Sequence, residues 1–426
     1  MALIFVITSL SALDRVAMSV AMVPMSEEFG YTDTLKGSIS SLFSVGYGIG
    51  ILPSGLLLAS LSPRLIMATG IVLWSVGTIA TPFAAAQSNM AFLLSARVLV
   101  GASESVVVPT IQKFLTNWIP AEKKGIAVAS VFAGFQFGTI LAYSISPSVI
   151  DAFGGDWRSL FYLYGGLGLG FLVPWLTLSK DEPASRVQTK QLPPSCSNAE
   201  NEVSALEQAK EVFQSAPWKD FVRSKGVWGM FFAHAANNWG LYNNLSWTPI
   251  FYNEQYGLNV KESAILLVVP SIVGAIGGLS AGTIADKMIQ NMEVVTVEEV
   301  TKVRKLFQGI GLLGPAVCLA ILSMNIPEEP WVAQTLLAGT VGMQSFNAAG
   351  YGAANQEKAG EKWTGLLYSI TSLPSVIIGT CSVYLTGRML DATDQNWSYV
   401  FGINAVVFAL GATAFVTLYD SRKEFD

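Results

Sequence analysis

The chain is poor in charge and in the residue types that build most soluble active sites. Only 13% of its 426 residues are charged, and it has one histidine and three scattered cysteines. A single imidazole excludes a site built from several histidines, and the cysteines have neither metal-ligand nor redox spacing. The G-x-x-x-x-G-K-[ST] loop is missing, which argues against a self-contained ATP-driven pump. No catalytic triad can be assembled, so we expect no enzyme, no cofactor and no metal centre.

Basic stretches interleaved with aromatic residues are also missing. With a formal net charge of −5, the sequence predicts no nucleic-acid partner. Apolar residues dominate instead, since 51% of the chain is hydrophobic and the mean hydropathy is +0.47. A bilayer core about 30 Å thick needs roughly 20 apolar residues per helix. The composition therefore predicts a lipid-embedded protein with many spans.

Twelve apolar segments of membrane length follow one another along the chain. The predicted fold class is an all-α membrane protein with twelve transmembrane helices in two six-helix, pseudo-symmetric bundles. The predicted spans are 2–23, 35–61, 65–86, 90–115, 125–149, 159–178, 226–251, 263–285, 306–324, 331–354, 364–385 and 399–418.

A long polar stretch separates the two sets of six spans. We expect an N-terminal bundle at 1–178, a cytoplasmic linker at 179–224 and a C-terminal bundle with a short tail at 225–426. Equal halves joined by one long loop are typical of transporters that hold substrate between parallel repeats near mid-membrane.

Charge placement supports this count, because cytoplasmic loops concentrate lysine and arginine. With the N-terminus inside, 19 of the 25 basic residues fall on the cytoplasmic side. The others are Lys36, Arg158, Lys261 and Arg388 outside, and Arg15 and Arg97 within the membrane.

The first thirteen residues also resemble the core of a signal peptide that ends in small residues. They lack the basic region that such a peptide carries at its start. We therefore expect a first helix that begins almost at Met1, with any longer presequence missing from this chain.

Few ionisable residues lie deep in the predicted spans, where even lenient scales give a charge a cost of at least about 2.5 kcal/mol. They are Asp14 and Arg15 in span one, Arg97 and Glu104 in span four, and His234 in span seven. Each such residue is a candidate functional group.

Two arginines facing a cavity suit an oxyanion, because the guanidinium is always charged and donates to two oxygens at once. Ser19 lies four residues after Arg15 and adds a hydroxyl to the same helix face. Arg97 and Glu104 are seven residues apart, so they share a face without forming a local pair. Structural alternatives remain: Arg15 paired with Asp14, Arg97 reaching an interface, and Glu104 as a buried partner rather than a coupling group.

Span seven concentrates amides around two aromatic side chains. Four asparagines within eight residues are costly against lipid, so most must face a cavity or another helix. They either shape the pocket and hold sodium through hard oxygens, or link helices by hydrogen bonds. His234 either titrates or packs against a carbonyl. The span-seven candidates are Asn237, Trp239 and Tyr242 for substrate, Asn238 and Asn243 for sodium, and His234 for coupling.

Several motifs resemble the anion transporter branch of the major facilitator superfamily. They include Asp14-Arg-Val-Ala-Met-Ser-Val-Ala21, Arg97-Val-Leu-Val-Gly-Ala-Ser-Glu104 and Trp247-Thr-Pro249. The resemblance covers nearly the whole chain and is closest to the plant and algal plastid phosphate transporters. It implies alternating access and an anion held by arginines on helices one and four. It also implies gating roles for the basic pair Lys123-Lys124 and for Asp286.

The chain departs from that family pattern at three places. The usual acidic-basic pair of the loop between spans two and three is replaced by Ser60 and Leu61. Asn237 stands where the family often has a basic residue, and Asn355-Gln356-Glu357 stands where it has a His-Gln-Asp run. The first change removes the charged pair that the resemblance implies for this loop. The other two affect the expected charge of the substrate and the expected ion-coupling site.

The sequence and the resemblance together predict a secondary symporter of phosphate or a related small anion, driven by sodium or protons. Arg15, Ser19 and Arg97 would bind the anion with the span-seven residues, while Asp14, Glu104, His234, Lys124 and Asp286 would couple or gate. The alternatives are an organic anion carrier for glutamate, ascorbate or a sugar acid, and a non-transporting anion sensor. We expect a monomer in a plastid envelope or thylakoid membrane, with the plasma membrane as the alternative.

Overall fold

The computed structural model describes residues 1–87, 89–118, 124–181, 214–359 and 363–425. Most of the predicted linker, 182–213, lies outside these ranges. The first half contains α1 (Ala2–Phe29), α2 (Asp33–Ser60), α3 (Pro63–Ala85), α4 (Met90–Glu104), α5 (Val107–Trp118), α6 (Lys124–Ala152) and α7 (Arg158–Leu178).

The second half begins with a short helix, α8 (Trp218–Arg223). It continues with α9 (Lys225–Tyr256), α10 (Val260–Gln290), α11 (Val297–Met324), α12 (Pro330–Gln344), a 3₁₀ turn (Ser345–Ala348), α13 (Tyr351–Lys358), α14 (Thr364–Ala392) and α15 (Trp397–Leu418). The all-α prediction is confirmed, and each of the twelve predicted spans falls on one helix or on a broken pair of helices. Within the described ranges, eight helical segments are long and apolar enough to cross a membrane.

Local sequence signals set the ends of several helices. The Ser62 hydroxyl accepts the Leu65 amide at the start of α3, where Pro63 needs no amide partner. Asn259 and Glu262 form a reciprocal capping box at the start of α10. Gly257 ends α9 with φ +64°, a left-handed conformation that glycine adopts without strain.

The chain forms two compact units. Unit 1 comprises 1–17, 42–142 and 153–216, and unit 2 comprises 18–41, 143–152 and 217–426. Helices α1, α2 and α6 therefore contribute residues to both units. The predicted division at 1–178, 179–224 and 225–426 stays a prediction.

Each unit has its own buried core. In unit 1, Trp74, Phe114 and Trp175 lie in a cluster with aliphatic side chains from α1 and α4. In unit 2, α9 packs on α14 and α15, and α11 packs on α15. These cores hold the polar side chains of α1, α4 and α9 in fixed positions inside the helical bundles.

Candidate functional site

The polar face of α1 is built from residues three and four apart. Ser11, Asp14 and Arg15 lie on neighbouring turns, so they project from one side of an otherwise apolar helix. Ser11 and Asp14 are almost fully buried. The Arg15 side chain keeps 33% of its surface accessible, so the cluster has one accessible cation.

Glu104, the last residue of α4, is the fully buried centre of this cluster. Its Oε2 accepts a hydrogen bond from the Ser11 hydroxyl at 2.9 Å and pairs with Arg15 Nη2 at 3.4 Å. Its Oε1 is buried and has no hydrogen-bond donor among the described residues. Such an oxygen needs a proton or another donor to offset its desolvation.

Asp14 is a second buried carboxyl group beside the first. Its Oδ1 accepts a hydrogen bond from the Thr78 hydroxyl of α3 at 2.6 Å. The Asp14 and Glu104 carboxyl groups are close enough to interact directly. Two adjacent carboxyl groups avoid mutual repulsion when they share a proton.

Arg97 supplies the second cation, one that is 3% exposed. Its Nε has no hydrogen-bond partner among the described residues, and no carboxylate there lies within ion-pair distance. The Arg97 guanidinium lies 5.3 Å from the centre of the Phe43 ring, and the Arg15 guanidinium lies 4.9 Å from the same centre. A single aromatic ring of α2 thus attracts both cations.

Close contact between α2 and α4 brings Phe43 to the arginines. A Cβ atom at Gly101 would overlap the Phe43 carbonyl oxygen, and one at Gly46 would overlap the Val98 carbonyl oxygen. Glycine at these two positions lets the backbones of the helices touch.

The helix that carries Arg97 and Glu104 has a counterpart in the second half of the chain. Both α4 and α12 are 15 residues long, and both end where the predicted span continues in a second helix. Glu104 is the last residue of α4, and Gln344 is the last residue of α12. A carboxylate in one half thus corresponds to an amide in the other.

An amide network surrounds the break after α12. Gln344 Nε2 donates to the Asn237 backbone oxygen at 2.8 Å, and Asn347 Nδ2 donates to Asn237 Oδ1 at 3.1 Å. Gln308 donates to Asn347 Oδ1 and accepts the Tyr351 amide at 2.8 Å. The network joins α9 and α11 to the broken span without any formal charge.

The other span-seven candidates have separate partners within unit 2. Asn243 Nδ2 donates to the Thr386 hydroxyl at 2.9 Å, and the Trp239 indole donates to Asn404 Oδ1. The His234 ring stacks on Tyr351 at 4.7 Å, and its Nδ1 is buried without a partner among the described residues. Asn238 is buried, and Tyr242 packs beside Gly379.

The remaining candidates lie apart from these groups. Ser19 is buried one turn beyond Arg15 on α1. Asp286, near the end of α10, lines an open pocket with Arg304 and Glu357. Lys124 begins α6, but its side chain and all of Lys123 lie outside the described part.

Sequence reasoning missed four side chains that complete the charged cluster: Ser11, Phe43, Tyr47 and Thr78. Two of them leave a sequence signal, because Phe43 and Tyr47 are four residues apart and share a helix face. It also missed Gln308 and Tyr351 of the amide network, which come from other helices and have no such signal.

Comparison with known proteins identifies the family and the fold of the chain. Residues 4–377 match the family model of the Major Facilitator Superfamily. The chain is 31% identical over 401 residues to the probable anion transporter 6, chloroplastic, of Arabidopsis thaliana. The matched region covers 94% of this chain and 74% of that relative. It is 30% identical over 419 residues to the sodium-dependent phosphate transport protein 1, chloroplastic, of the same plant, with coverage of 97% and 77%.

A third Arabidopsis thaliana relative, the ascorbate transporter, chloroplastic, is 29% identical over 418 residues, with coverage of 97% and 73%. Among solved structures, an inward-facing bacterial homolog of the human lysosomal transporter Spinster matches with a TM-score of 0.75 at 15% identity, covering 98% of this chain and 95% of that one. A D-xylose-proton symporter matches with a TM-score of 0.74 at 15% identity, covering 99% and 98%. At these identities the structures show a shared fold alone, and they confirm the predicted fold class.

Proposed function

The chain belongs to the Major Facilitator Superfamily, and we propose that it is a symporter of inorganic phosphate or a related small anion in a plastid membrane. A multi-pass membrane protein of this family is a transporter and not an enzyme. Phosphate and the plastid location are supported by relatives named as chloroplastic anion and phosphate transporters. The charged cluster of unit 1 supports an anionic substrate independently of those names.

One observation carries the proposal: Arg97 is a buried cation without an acceptor among the described residues. A buried guanidinium without hydrogen-bond acceptors is costly in the bilayer interior, so its retention needs a reason. A guanidinium binds the oxygens of phosphate two at a time, which would supply the missing acceptors. Arg15, the accessible cation on the same aromatic ring, would provide the second pair of donors.

Coupling of anion and proton transport would follow from the ion pair between Arg15 and Glu104. An anion that draws Arg15 away from Glu104 removes the only cation within ion-pair distance of this carboxylate among the described residues. Glu104 would then take up a proton, and its neighbour Asp14 gives that proton a second acceptor. Anion and proton would favour the same state, as symport requires.

Sodium is the second candidate for the coupling ion, favoured by the sodium-dependent name of one relative. Sodium prefers several hard oxygen ligands. Asn238 and Asn243 remain the proposed ligands, although the Asn243 amide already exchanges hydrogen bonds with Thr386.

The first experiment is radiolabelled phosphate uptake into proteoliposomes under an imposed proton gradient, a sodium gradient or no gradient. We expect gradient-driven uptake by the wild type and a loss of at least about a hundredfold in Arg97→Ala, because two charge-assisted hydrogen bonds disappear. Arg158→Ala is the matched control, since Arg158 stacks on Trp157 and pairs with Asp156.

Normal uptake by correctly inserted Arg97→Ala would refute the anion site. In Glu104→Gln, proton-driven accumulation should disappear while phosphate exchange across the membrane persists. Unchanged accumulation by Glu104→Gln would refute the proton route and leave sodium.

An organic anion carrier is the second candidate function, favoured by similarity to the ascorbate transporter and by the aromatic side chains beside Arg15. Competition of phosphate uptake with ascorbate and glutamate separates the two. Stronger inhibition by an organic anion than by unlabelled phosphate would reassign the substrate.

A further inference from the structure

The turn between α2 and α3 lacks the acidic side chain that the family resemblance leads one to expect. Ser60 ends α2, and only Leu61 and Ser62 separate it from Pro63, the first residue of α3. The first turn of any helix leaves backbone amides that need acceptors. Since Pro63 has no amide hydrogen, the first amide that needs one belongs to Arg64.

Asp181 provides this acceptor from a distant part of the sequence. Its Oδ1 accepts the Arg64 amide at 2.8 Å, and its Oδ2 accepts the Ser62 hydroxyl at 2.6 Å. Asp181 lies three residues beyond the end of α7, at the start of the predicted linker. Its negative charge also complements the positive end of the α3 dipole.

Arg64 makes the reciprocal contact with the end of α7. Its guanidinium donates to the Leu176 carbonyl, one of the last backbone acceptors of that helix. The Trp175 indole donates in turn to the Arg64 carbonyl at 3.0 Å. Asp181, which follows α7, thus caps the start of α3, and Arg64, at the start of α3, caps the end of α7.

We propose that Asp181 is a positioning residue that replaces the missing acid of the α2–α3 turn. Its contacts make spans two, three and six move together at the end where α2 and α7 finish and α3 begins. A loosened turn would slow the conformational step of transport without changing the anion site. The flux prediction rests on the proposed function, but the structural prediction does not.

Hydrogen exchange of the purified protein tests the structural part without any substrate. In Asp181→Ala, amide exchange in the peptide that covers 62–66 should accelerate about tenfold or more, because a helix cap is lost. Asp156→Ala is the matched control, because Asp156 Oδ1 accepts the Arg158 amide at 3.0 Å at the start of α7, the end of that helix away from Asp181. It should leave exchange at 62–66 unchanged.

Transport kinetics test the functional part. We expect the maximal uptake rate of Asp181→Ala to fall about tenfold while KM stays within about twofold. Asp181→Glu should keep most of the rate. Adding Ser60→Asp to Asp181→Ala restores an acid to the turn and should recover at least half of it. If Asp181→Ala fails to fold, Asp181→Asn is measured instead; it loses the charge and one of the two acceptor oxygens, so the same changes should appear in the same direction but smaller.

A wild-type rate in Asp181→Ala, unchanged exchange at 62–66, or no recovery by Ser60→Asp would each overturn the proposal. Absence of phosphate flux in the wild type would refute the proposed function instead, and hydrogen exchange would then decide whether Asp181 holds the turn.

Discussion

At the scale of single residues, this protein buries charges in groups that balance each other, and Lys36 near the start of α2 is one example. Its ammonium lies 2.8 Å from Asp33 Oδ1 and 2.6 Å from Glu254 Oε1. The Lys36, Asp33 and Glu254 side chains are 8%, 4% and 10% exposed. Two shielded carboxylates thus depend on one cation, and a second glutamate oxygen has no partner among the described residues.

Removal of this lysine should be strongly destabilising. We expect Lys36→Met to cost about 3–5 kcal/mol, because it leaves desolvated carboxylates without a cation. Lys36→Met combined with Glu254→Met should cost less than Lys36→Met alone. Thermal or denaturant unfolding in detergent measures both, with Lys261→Met as control because the Lys261 pair with Asp151 is largely exposed. Additive costs of the two substitutions would contradict the buried pair.

At the scale of elements, the two broken spans occupy corresponding places and differ in chemistry. The break after α4 carries a carboxylate that faces an arginine, whereas the break after α12 carries amides that bond to each other. Broken helices inside a membrane need their freed backbone groups satisfied by neighbours. In unit 2, Asn347 does this by donating to the Gln344 carbonyl at 2.7 Å, and it also donates to the Gly311 carbonyl of α11 at 3.1 Å.

Loss of the Asn347 side chain should therefore weaken unit 2. We expect Asn347→Ala to lower the free energy of unfolding by about 2–4 kcal/mol, because several buried partners lose their hydrogen bonds together. Asn396→Ala provides the comparison, since Asn396 caps α15 through one exposed bond to the Ser398 amide at 3.1 Å. Equal melting temperatures for the two variants would contradict the role of the network.

The C-terminal segment is an element that only the structure reveals. Lys358, the fully buried last residue of α13, pairs with Asp420 at 2.9 Å and Glu424 at 2.6 Å. The Glu424 amide donates to the Lys358 carbonyl at 3.0 Å, and Phe425 packs edge-to-face on Phe221. These contacts fasten the segment to the ends of α8 and α13.

The stability that Asp420 adds should depend on pH. Burial raises the pKa of this carboxyl group, but bonds from Lys358 and the Arg422 amide outweigh it, so the pKa lies below its ordinary value. A carboxyl group with a lowered pKa in the folded state stabilises the protein at pH values above its unfolded-state pKa of about 4. This stabilisation is lost as the pH falls through the folded-state pKa. Unfolding curves of wild type and Asp420→Asn should differ at pH 7 and approach each other as the pH falls below about 4. A Lys358→Met background should reduce this dependence.

The sequence predicted the helices well, because apolar length and loop charge carry that information directly. It also placed Arg15, Arg97 and Glu104 as candidates, since a charge in a long apolar run stands out. It did not predict that Phe43 attracts both arginines, or that Asp181 caps α3. Both contacts join residues far apart in sequence, and neither residue type is unusual where it occurs.

At the scale of the whole molecule, charge is distributed unequally between the halves and between the two faces. The buried cluster of unit 1 contains two arginines and two carboxyl groups, whereas the network around α12 is neutral. The proposed anion chemistry thus belongs mainly to one half. The loops have their own asymmetry, which predicts how the chain is oriented in the bilayer.

The orientation can be tested across a single helix. Helix α11 carries Lys302, Arg304 and Lys305 within its first three turns, and it ends shortly before Glu328 and Glu329. Because basic loops stay in the cytoplasm, single cysteines at Val295 and Glu328 should lie on opposite sides. Cys196, Cys318 and Cys381 are first replaced by serine. In bacterial spheroplasts, an impermeant maleimide should label Glu328→Cys directly and Val295→Cys only after permeabilisation.

The three other labelling patterns have two meanings. Direct labelling of Val295→Cys alone would invert the chain and place 19 of its 25 basic residues outside, against the charge rule. Direct labelling of both cysteines, or of neither, would mean that α11 does not cross the membrane, although its 28 residues are long enough to do so. The helix count would then be odd, the central linker and the C-terminal segment would lie on opposite faces, and two matching six-helix halves would be impossible.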